Sequence, residues 1–296
     1  MTDGVRSVAL LGAGAMGRRM AESLVRAGFE VRAWDPRPER AQAVAGATAC
    51  GGAAEAAAGA DAVLTMAPDG PAVEQTMLGE GGVGGAVRPG TLWLQTSTVG
   101  VRFAERLAAE ANERGLIAVD APVIGTLPDA ERRSLVFFAC ARESARPLAQ
   151  PLLDAMGART VWYERPGDGQ RMKLALNGWL LTLYELTAES LALVEGLGLD
   201  PREFLEILDG HPLGSPFLQN AGPAMLDERF EGGLRLALAH KDLGLIGEAA
   251  QDAGVELALA PAAREKMALA AELGYADASA AATFVATRRA ARGSSP

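Results

Sequence analysis

The chain carries three lysines, Lys173, Lys241 and Lys266, among 28 basic residues, and the other 25 are arginine. An arginine stays protonated at any working pH, whereas a lysine can be tuned to release its proton. Each retained lysine is therefore a candidate for proton chemistry. Lys173 and Asn177 stand four residues apart in Gly167-Asp168-Gly169-Gln170-Arg171-Met172-Lys173-Leu174-Ala175-Leu176-Asn177. On a helix that spacing puts both side chains on one face. An amine brought toward neutrality by partial burial, with an amide beside it to fix the same oxygen, can pass a proton at a carbon–oxygen centre. Spacing alone also accommodates a solvated lysine and a helix-face asparagine without a chemical task.

A second pattern supplies the partner chemistry. Gly12-Ala13-Gly14-Ala15-Met16-Gly17 follows the apolar run 8–11 and precedes an Ala-rich amphipathic stretch. In a strand–loop–helix, Gly12 permits the tight turn, Gly14 lets a pyrophosphate reach the backbone, and Gly17 allows close helix–strand packing. The helix N-terminus then offers free N–H groups and the positive end of its dipole. Asp35 closes the next apolar run, 18 residues after Gly17, where a carboxylate would meet an adenosine ribose. That carboxylate favours NAD, while Arg37 and Arg40 could hold the 2′-phosphate of NADP, and the balance leans to NAD. Hydride transfer also needs a proton donor and acceptor for the oxygen being reduced or oxidised.

These residues need a scaffold, and the patterning describes one. Apolar runs at 8–11, 31–34, 62–66, 92–95, 117–120, 135–140 and 160–163 alternate with helix-like stretches such as 18–27, 37–45 and 102–114. Such alternation predicts a mostly parallel, doubly wound α/β sheet. Glu164-Arg165-Pro166-Gly167-Asp168-Gly169 is rich in breakers and marks a boundary, giving domains at 1–165 and 166–296. Beyond it the pattern is helical: one long interdomain helix from 170 to about 195, then blocks near 200–208, 234–253 and 261–273. Lys173 and Asn177 thus fall at the hinge, where ligand clefts commonly form. Residues 293–296 read as a frayed tail.

Composition excludes other classes. The net charge of −9 argues against a general affinity for nucleic acid or an anionic membrane. Cys50 and Cys140 are too few and too far apart for a disulfide framework or a zinc site, and they read as buried thiols. With His211 and His240 the only histidines, a His/Cys metal centre is not expected, and a Ser-His-Asp triad finds no nucleophile elbow. No uncharged apolar run reaches the span of a membrane helix. Asp3 in the would-be basic region argues against a signal peptide, so a mature N-terminus and a cytoplasmic location are expected.

In order along nearly its whole length, the chain resembles the β-hydroxyacid dehydrogenases, the group of 3-hydroxyisobutyrate dehydrogenase and tartronate semialdehyde reductase. The glycine loop includes the family's Met16-Gly17. Met66-Ala67-Pro68-Asp69 is similar to its loop beside the cofactor, and Ser97-Thr98 to its pair near the nicotinamide. Asp120-Ala121-Pro122-Val123 resembles the opening of its substrate motif, Gly167-x-Gly169-x-x-x-Lys173 its catalytic helix start, Lys241-Asp242-Leu243 its late cofactor lysine, and Asp277-Ala278-Ser279-Ala280 its C-terminal signature.

The resemblance implies a Rossmann domain, then an all-α domain through which a homodimer or homotetramer forms. It implies NAD(P)-linked oxidation of a small β-hydroxyacid, or reduction of the semialdehyde. Lys173 would be the general acid/base and Asn177 its substrate-binding partner. Met66, Ala67, Pro68, Thr98 and Lys241 would join the glycine loop at the cofactor, and His240 has no assigned role. Where the family continues Ser-Gly-Gly, this chain reads Ile124-Gly125-Thr126. Ile124 removes a hydroxyl from the substrate site and points to a larger or less polar substrate, Gly125 keeps the close approach, and Thr126 could restore a hydroxyl. Leu176, in place of a second family asparagine, points the same way. Arg132 and Arg133 read as surface residues, with a charge-assisted substrate contact as the other reading. The alternatives are NADPH-dependent C=N reduction, as in the imine reductases of similar fold, and a cofactor-binding module without catalysis.

Overall fold

A computed structural model describes residues 4–79 and 82–293. The readings of Asp3 and of the tail at 294–296 lie outside the described residues. The chain divides into two compact units, Met1–Lys173 and Leu174–Pro296. This division falls inside the long helix and later than the breaker-rich boundary, because the first turn of that helix is hydrogen-bonded to strand ends of the first unit.

The first unit is built on a nine-stranded sheet among the described residues. Its strands are β1 (Ser7–Leu11), β2 (Glu30–Trp34), β3 (Thr48–Ala49), β4 (Ala62–Thr65), β5 (Leu92–Gln95), β6 (Ile117–Asp120), β7 (Val123–Ile124), β8 (Leu135–Cys140) and β9 (Gly157–Tyr163). Strands β1 to β6 lie in the order β3-β2-β1-β4-β5-β6 and all pair in parallel. This is the doubly wound order of dinucleotide-binding sheets, whose strand order reverses beside β1. β8 runs antiparallel to β6 and β7 and parallel to β9. All seven predicted runs are strands; the two-residue β3 and β7 were too short to show a period.

Both faces of the sheet are covered, as near-continuous apolar strands require. Along β1, Val8 and Leu10 pack into the core on one side, and Ala9 and Leu11 into the core on the other. The helix Ala15–Arg26 buries Gly17, Met20, Ala21 and Leu24, the stripe expected of an amphipathic helix.

The second unit is helical. It continues the long helix (Asp168–Gly196), then holds Pro201–Leu208, Pro216–Leu226, Leu236–Ala253, Leu259–Ala270 and Thr283–Gly293. The expected blocks are present. Pro216–Leu226 is an addition, capped by Ser215, whose hydroxyl accepts from Leu218 N, and it carries Pro223 inside; that second proline masked it in the sequence. Inside the unit, Glu185 is buried and accepts hydrogen bonds from the hydroxyls of Thr283 (2.6 Å) and Thr287 (2.8 Å). No described helix is long and apolar enough to cross a membrane.

Candidate active site

The glycine loop lies at the switch point of the sheet. Gly12 leaves β1 at φ 105°, and a Cβ there would lie 2.1 Å from the Met66 carbonyl oxygen. Its N–H donates to Trp34 O (2.9 Å), and Met66 N donates to Leu11 O (3.0 Å). A Cβ on Gly17 would lie 2.1 Å from Gly12 O, so helix and turn touch backbone to backbone. Gly14 differs: a Cβ there would meet nothing within 4 Å. Gly14 is the N-cap of Ala15–Arg26 and no side chain caps that helix. Two glycines are thus required by packing, and the third leaves open space in front of free helix N–H groups. That is the shape a pyrophosphate needs.

Neighbouring loops complete this cradle. Asp35 follows β2 and is buried; its Oδ1 accepts from Arg37 N (3.0 Å) and lies 3.9 Å from an Arg40 guanidinium nitrogen. Met66, Ala67 and Pro68 leave β4, and Ala67 N donates to the Ser97 hydroxyl (2.8 Å), which ties that loop to the one after β5. Thr98 follows it, partly buried. The open N-terminus, the buried carboxylate and the joined strand-end loops fit a dinucleotide.

The start of the long helix explains the second glycine motif. Gly167 holds φ 82°, and a Cβ on Gly169 would lie 2.2 Å from the Phe138 carbonyl oxygen on β8. Gln170 is fully buried. Its Nε2 donates to Ser97 O (3.1 Å) and Asp120 Oδ1 (3.0 Å), and its Oε1 accepts from Val99 N (3.2 Å) and Gly100 N (3.3 Å). Gln95, at the end of β5, donates to the same Ser97 O and Asp120 Oδ1, each at 2.9 Å. Lys173 follows one turn after Gln170 and is only 8% exposed.

Asp120 ends β6 with its Oδ2 unpartnered among the described residues. Burial pushes its carboxyl up to about 7, against the pull of the Gln170 and Gln95 amides. Cys140, its register partner on β8, donates its thiol to Arg165 O (3.0 Å), and burial beside Asp120 raises that thiol to about 11.

Ile124 lies in β7, half-buried, and Gly125 takes φ 145° against the Leu135 side chain. Thr126 caps the short helix Leu127–Glu131 through a capping box. Its hydroxyl donates to Asp129 Oδ2 (2.6 Å) and accepts from Asp129 N (3.3 Å). Asp129 is held well below the usual carboxylate range, at about 2, chiefly by Thr126. The proton that Thr126 could have offered a substrate is committed to this cap. Arg132 pairs with Asp129 (3.0 Å), and Arg133 donates to Ala155 O (2.8 Å).

Within the helical unit, Asn177 is buried and its Nδ2 donates to Asp242 Oδ2 (2.6 Å). Lys241 Nζ lies 2.8 Å from the other oxygen of Asp242. A carboxylate only accepts, so the amide nitrogen of Asn177 must face it. Asn177 Oδ1 is left without a partner among the described residues. The C-terminal signature braces the helix carrying Lys241: Leu236 N donates to Ala278 O (2.8 Å), and Arg235 pairs with Asp277 (3.0 Å). His240 is half-buried near Arg264; burial and that charge push its imidazole below its ordinary pKa.

Sequence reasoning gave no role to Gln95, Gln170 or Asp242, and read Asp120 only as part of a motif. The usable signal was a polar residue closing each of two buried apolar strands, β5 and β6, on the side where such sheets bind ligands.

An open helix N-terminus at the switch point of a doubly wound sheet, followed along the chain by a helical unit, defines the class: a dinucleotide-binding protein. Comparison with known proteins narrows it. Residues 7–164 match the family described as the NAD binding domain of 6-phosphogluconate dehydrogenase. Residues 167–285 match that described as NAD-binding of NADP-dependent 3-hydroxyisobutyrate dehydrogenase. An NAD-dependent L-serine dehydrogenase of Pseudomonas aeruginosa is 34% identical over 283 residues, covering 92% of this chain and 95% of its own. The structure of Mycobacterium tuberculosis 3-hydroxyisobutyrate dehydrogenase with L-serine matches at TM-score 0.84 and 31% identity, covering 96% of this chain and 99% of its own. An imine reductase from a Pseudomonas species shares the fold at TM-score 0.60 and 21% identity, covering 96% of this chain and 99% of its own. The chain belongs to the β-hydroxyacid dehydrogenase family and is an NAD(P)-dependent oxidoreductase.

Proposed function

We propose that this enzyme interconverts a small β-hydroxyacid, of the size of 3-hydroxyisobutyrate or L-serine, with its carbonyl form, and that Lys173 handles the proton. The observation that carries this reading is the burial of Lys173 one turn into a helix whose start is bonded to the loop after β5 and to the last residue of β6. NAD(P), when bound, supplies or accepts the hydride. Lys173 takes the proton of the substrate hydroxyl on oxidation and returns it on reduction, a contribution of about 10²–10⁴-fold. Asn177 spends its amide nitrogen on Asp242, so Oδ1 is the atom it offers, and that oxygen suits a hydroxyl or ammonium donor. Lys241 lines the cofactor site in this reading, steadied by Asp242.

On the substrate side, Ile124 and Gly125 form the surface that meets the acid, and the Thr126 cap fixes the turn presenting them. NAD is the favoured cofactor because the buried Asp35 carboxylate repels a 2′-phosphate. Arg40, beside that carboxylate, supports NADP as the second choice. Trp179, Leu186 and Leu193 recur every seventh residue on the long helix and are 60–69% exposed. An apolar stripe of that kind calls for a cover, and a second copy of the chain, as homodimer or homotetramer, supplies it. The proposed compartment is the cytoplasm, in keeping with the free, buried thiols of Cys50 and Cys140.

The half-buried Ile124 favours one second reading, reduction of a less polar C=N substrate. The deciding experiment is titration with NADH and NADPH, then turnover on β-hydroxyacids and a cyclic imine with the tighter cofactor. Oxidation of the hydroxyacids is expected. Turnover on the imine alone would replace this reading, and tight cofactor binding without turnover on any of them would make the chain a binding module.

A further inference from the structure

Two buried glutamines converge on the same two acceptors at the base of the helix that carries Lys173. Gln95 and Gln170 each donate to Ser97 O and to Asp120 Oδ1, and Gln95 Oε1 also accepts from Ser97 N. Gln170 uses the full capacity of its amide, two N–H donors and two acceptor contacts, with none of its surface exposed. A buried network of this kind is no better for stability than well-packed apolar side chains; what it adds is one defined geometry. The carboxylate is also expensive to bury, so its place here needs a reason beyond packing.

The geometry supplies that reason. Gly169 brings the helix start against the β8 backbone, which sets its distance from the sheet. Gln170 then fixes its rotation, because its amide reaches Ser97, Val99 and Gly100 at once. Lys173 is three residues on and shares that face of the helix. A small turn of the helix about its axis would swing the lysine while barely moving the backbone.

We infer that Gln170 is a positioning residue for Lys173, clamping the first turn of the long helix to the 97–100 loop with Asp120 as the buried anchor of the clamp. This inference rests on the reading of Lys173 as the proton-handling group. Gln170 itself touches neither substrate nor cofactor in this account. The charge state of the anchor matters to the clamp: Gln95 faces it from β5, Gln170 from the long helix, and the neutral Cys140 thiol from β8.

The test compares Gln170→Met and Gln170→Glu with Lys173→Ala, all in the full chain. Gln170→Met keeps the length and removes every polar contact. A lysine displaced by a fraction of its own length should lose kcat by about 100-fold. KM and the NAD(P)H dissociation constant should stay within about threefold, and the limb of the kcat–pH profile lost in Lys173→Ala should be displaced. Gln170→Glu places a second carboxyl against Asp120, so the clamp closes only when the two share a proton. Its kcat relative to the parent should therefore fall steeply between about pH 6 and about pH 9. That variant decides alone if Gln170→Met does not fold. A flat ratio, or a loss of kcat, KM and cofactor binding in parallel with melting temperature, overturns the positioning role. If Lys173→Ala keeps full turnover, the failure lies in the reading of the lysine. If Lys173→Ala is inactive while Gln170→Met keeps kcat and the pH limb, the failure lies in the clamp alone.

Discussion

The two glycine-flanked helix starts of the first unit use similar punctuation for opposite ends. At Gly12-x-Gly14-x-x-Gly17 the chain turns sharply, packs two glycines against backbone and leaves the third facing open space, with the helix end uncapped. At Gly167-x-Gly169-x-x-x-Lys173 the second glycine is pressed against Phe138 O and the next residue is fully buried and hydrogen-bonded. The first start leaves its helix N–H groups open, and in the proposed reading they receive the cofactor's pyrophosphate. The second is closed, and what it delivers is the direction of a side chain one turn later. At these two starts the open space is at Gly14, in front of uncapped helix N–H groups, and the filled space is at Gly169, one turn before Lys173.

Adding a methyl group at each start should expose that difference. Gly169→Ala forces a Cβ onto a backbone oxygen that cannot move aside. It should cost about 1–3 kcal/mol in chemical denaturation and lower kcat by about 100-fold as the helix start is pushed off its bearing. Gly14→Ala meets no protein atom, so its melting curve should match the parent's. Its cofactor affinity, measured by NADH fluorescence titration, should weaken about tenfold, or about 1.4 kcal/mol. Equal effects of the two substitutions on both readouts would erase the contrast.

The two starts also differ electrostatically. The closed start is anchored by Asp120, whose carboxyl is raised to about 7 by burial. Between the ordinary carboxylate range and pH 7 the folded state holds a proton that the unfolded chain has released. Stability therefore falls as pH rises through that window and levels off above it, with a slope of up to about 1.4 kcal/mol per pH unit. Asp120→Asn should remove that slope in denaturant titrations across the window. An unchanged slope would mean that the carboxyl titrates as in the unfolded chain.

Much of this architecture was readable from the amino acids, and what was not has physical causes. The long apolar runs declared the core strands because a parallel sheet covered on both faces needs near-continuous apolar strands. β3 and β7 have two residues each and no period to detect. The helix Pro216–Leu226 was hidden by Pro223, whose missing N–H is tolerated inside the folded unit. The turn at Gly12 and the close packing at Gly17 were legible because loop geometry is local. Gln170 was not, because a glutamine has no chemistry of its own, and its meaning appears only when Ser97 and Asp120, distant in sequence, close around it. Thr126 shows the converse: a hydroxyl that looked available is consumed by Asp129, its neighbour three residues on.

The proposed reaction requires proton transfer by the Lys173 amine. Its most direct measurement is the kcat of Lys173→Ala across pH, with NAD(P)H binding measured on the same protein. The expected result is a loss of about 10²–10⁴-fold with cofactor affinity intact and one ionisation missing from the profile. Turnover near the parent's, with the same pH dependence, would contradict it.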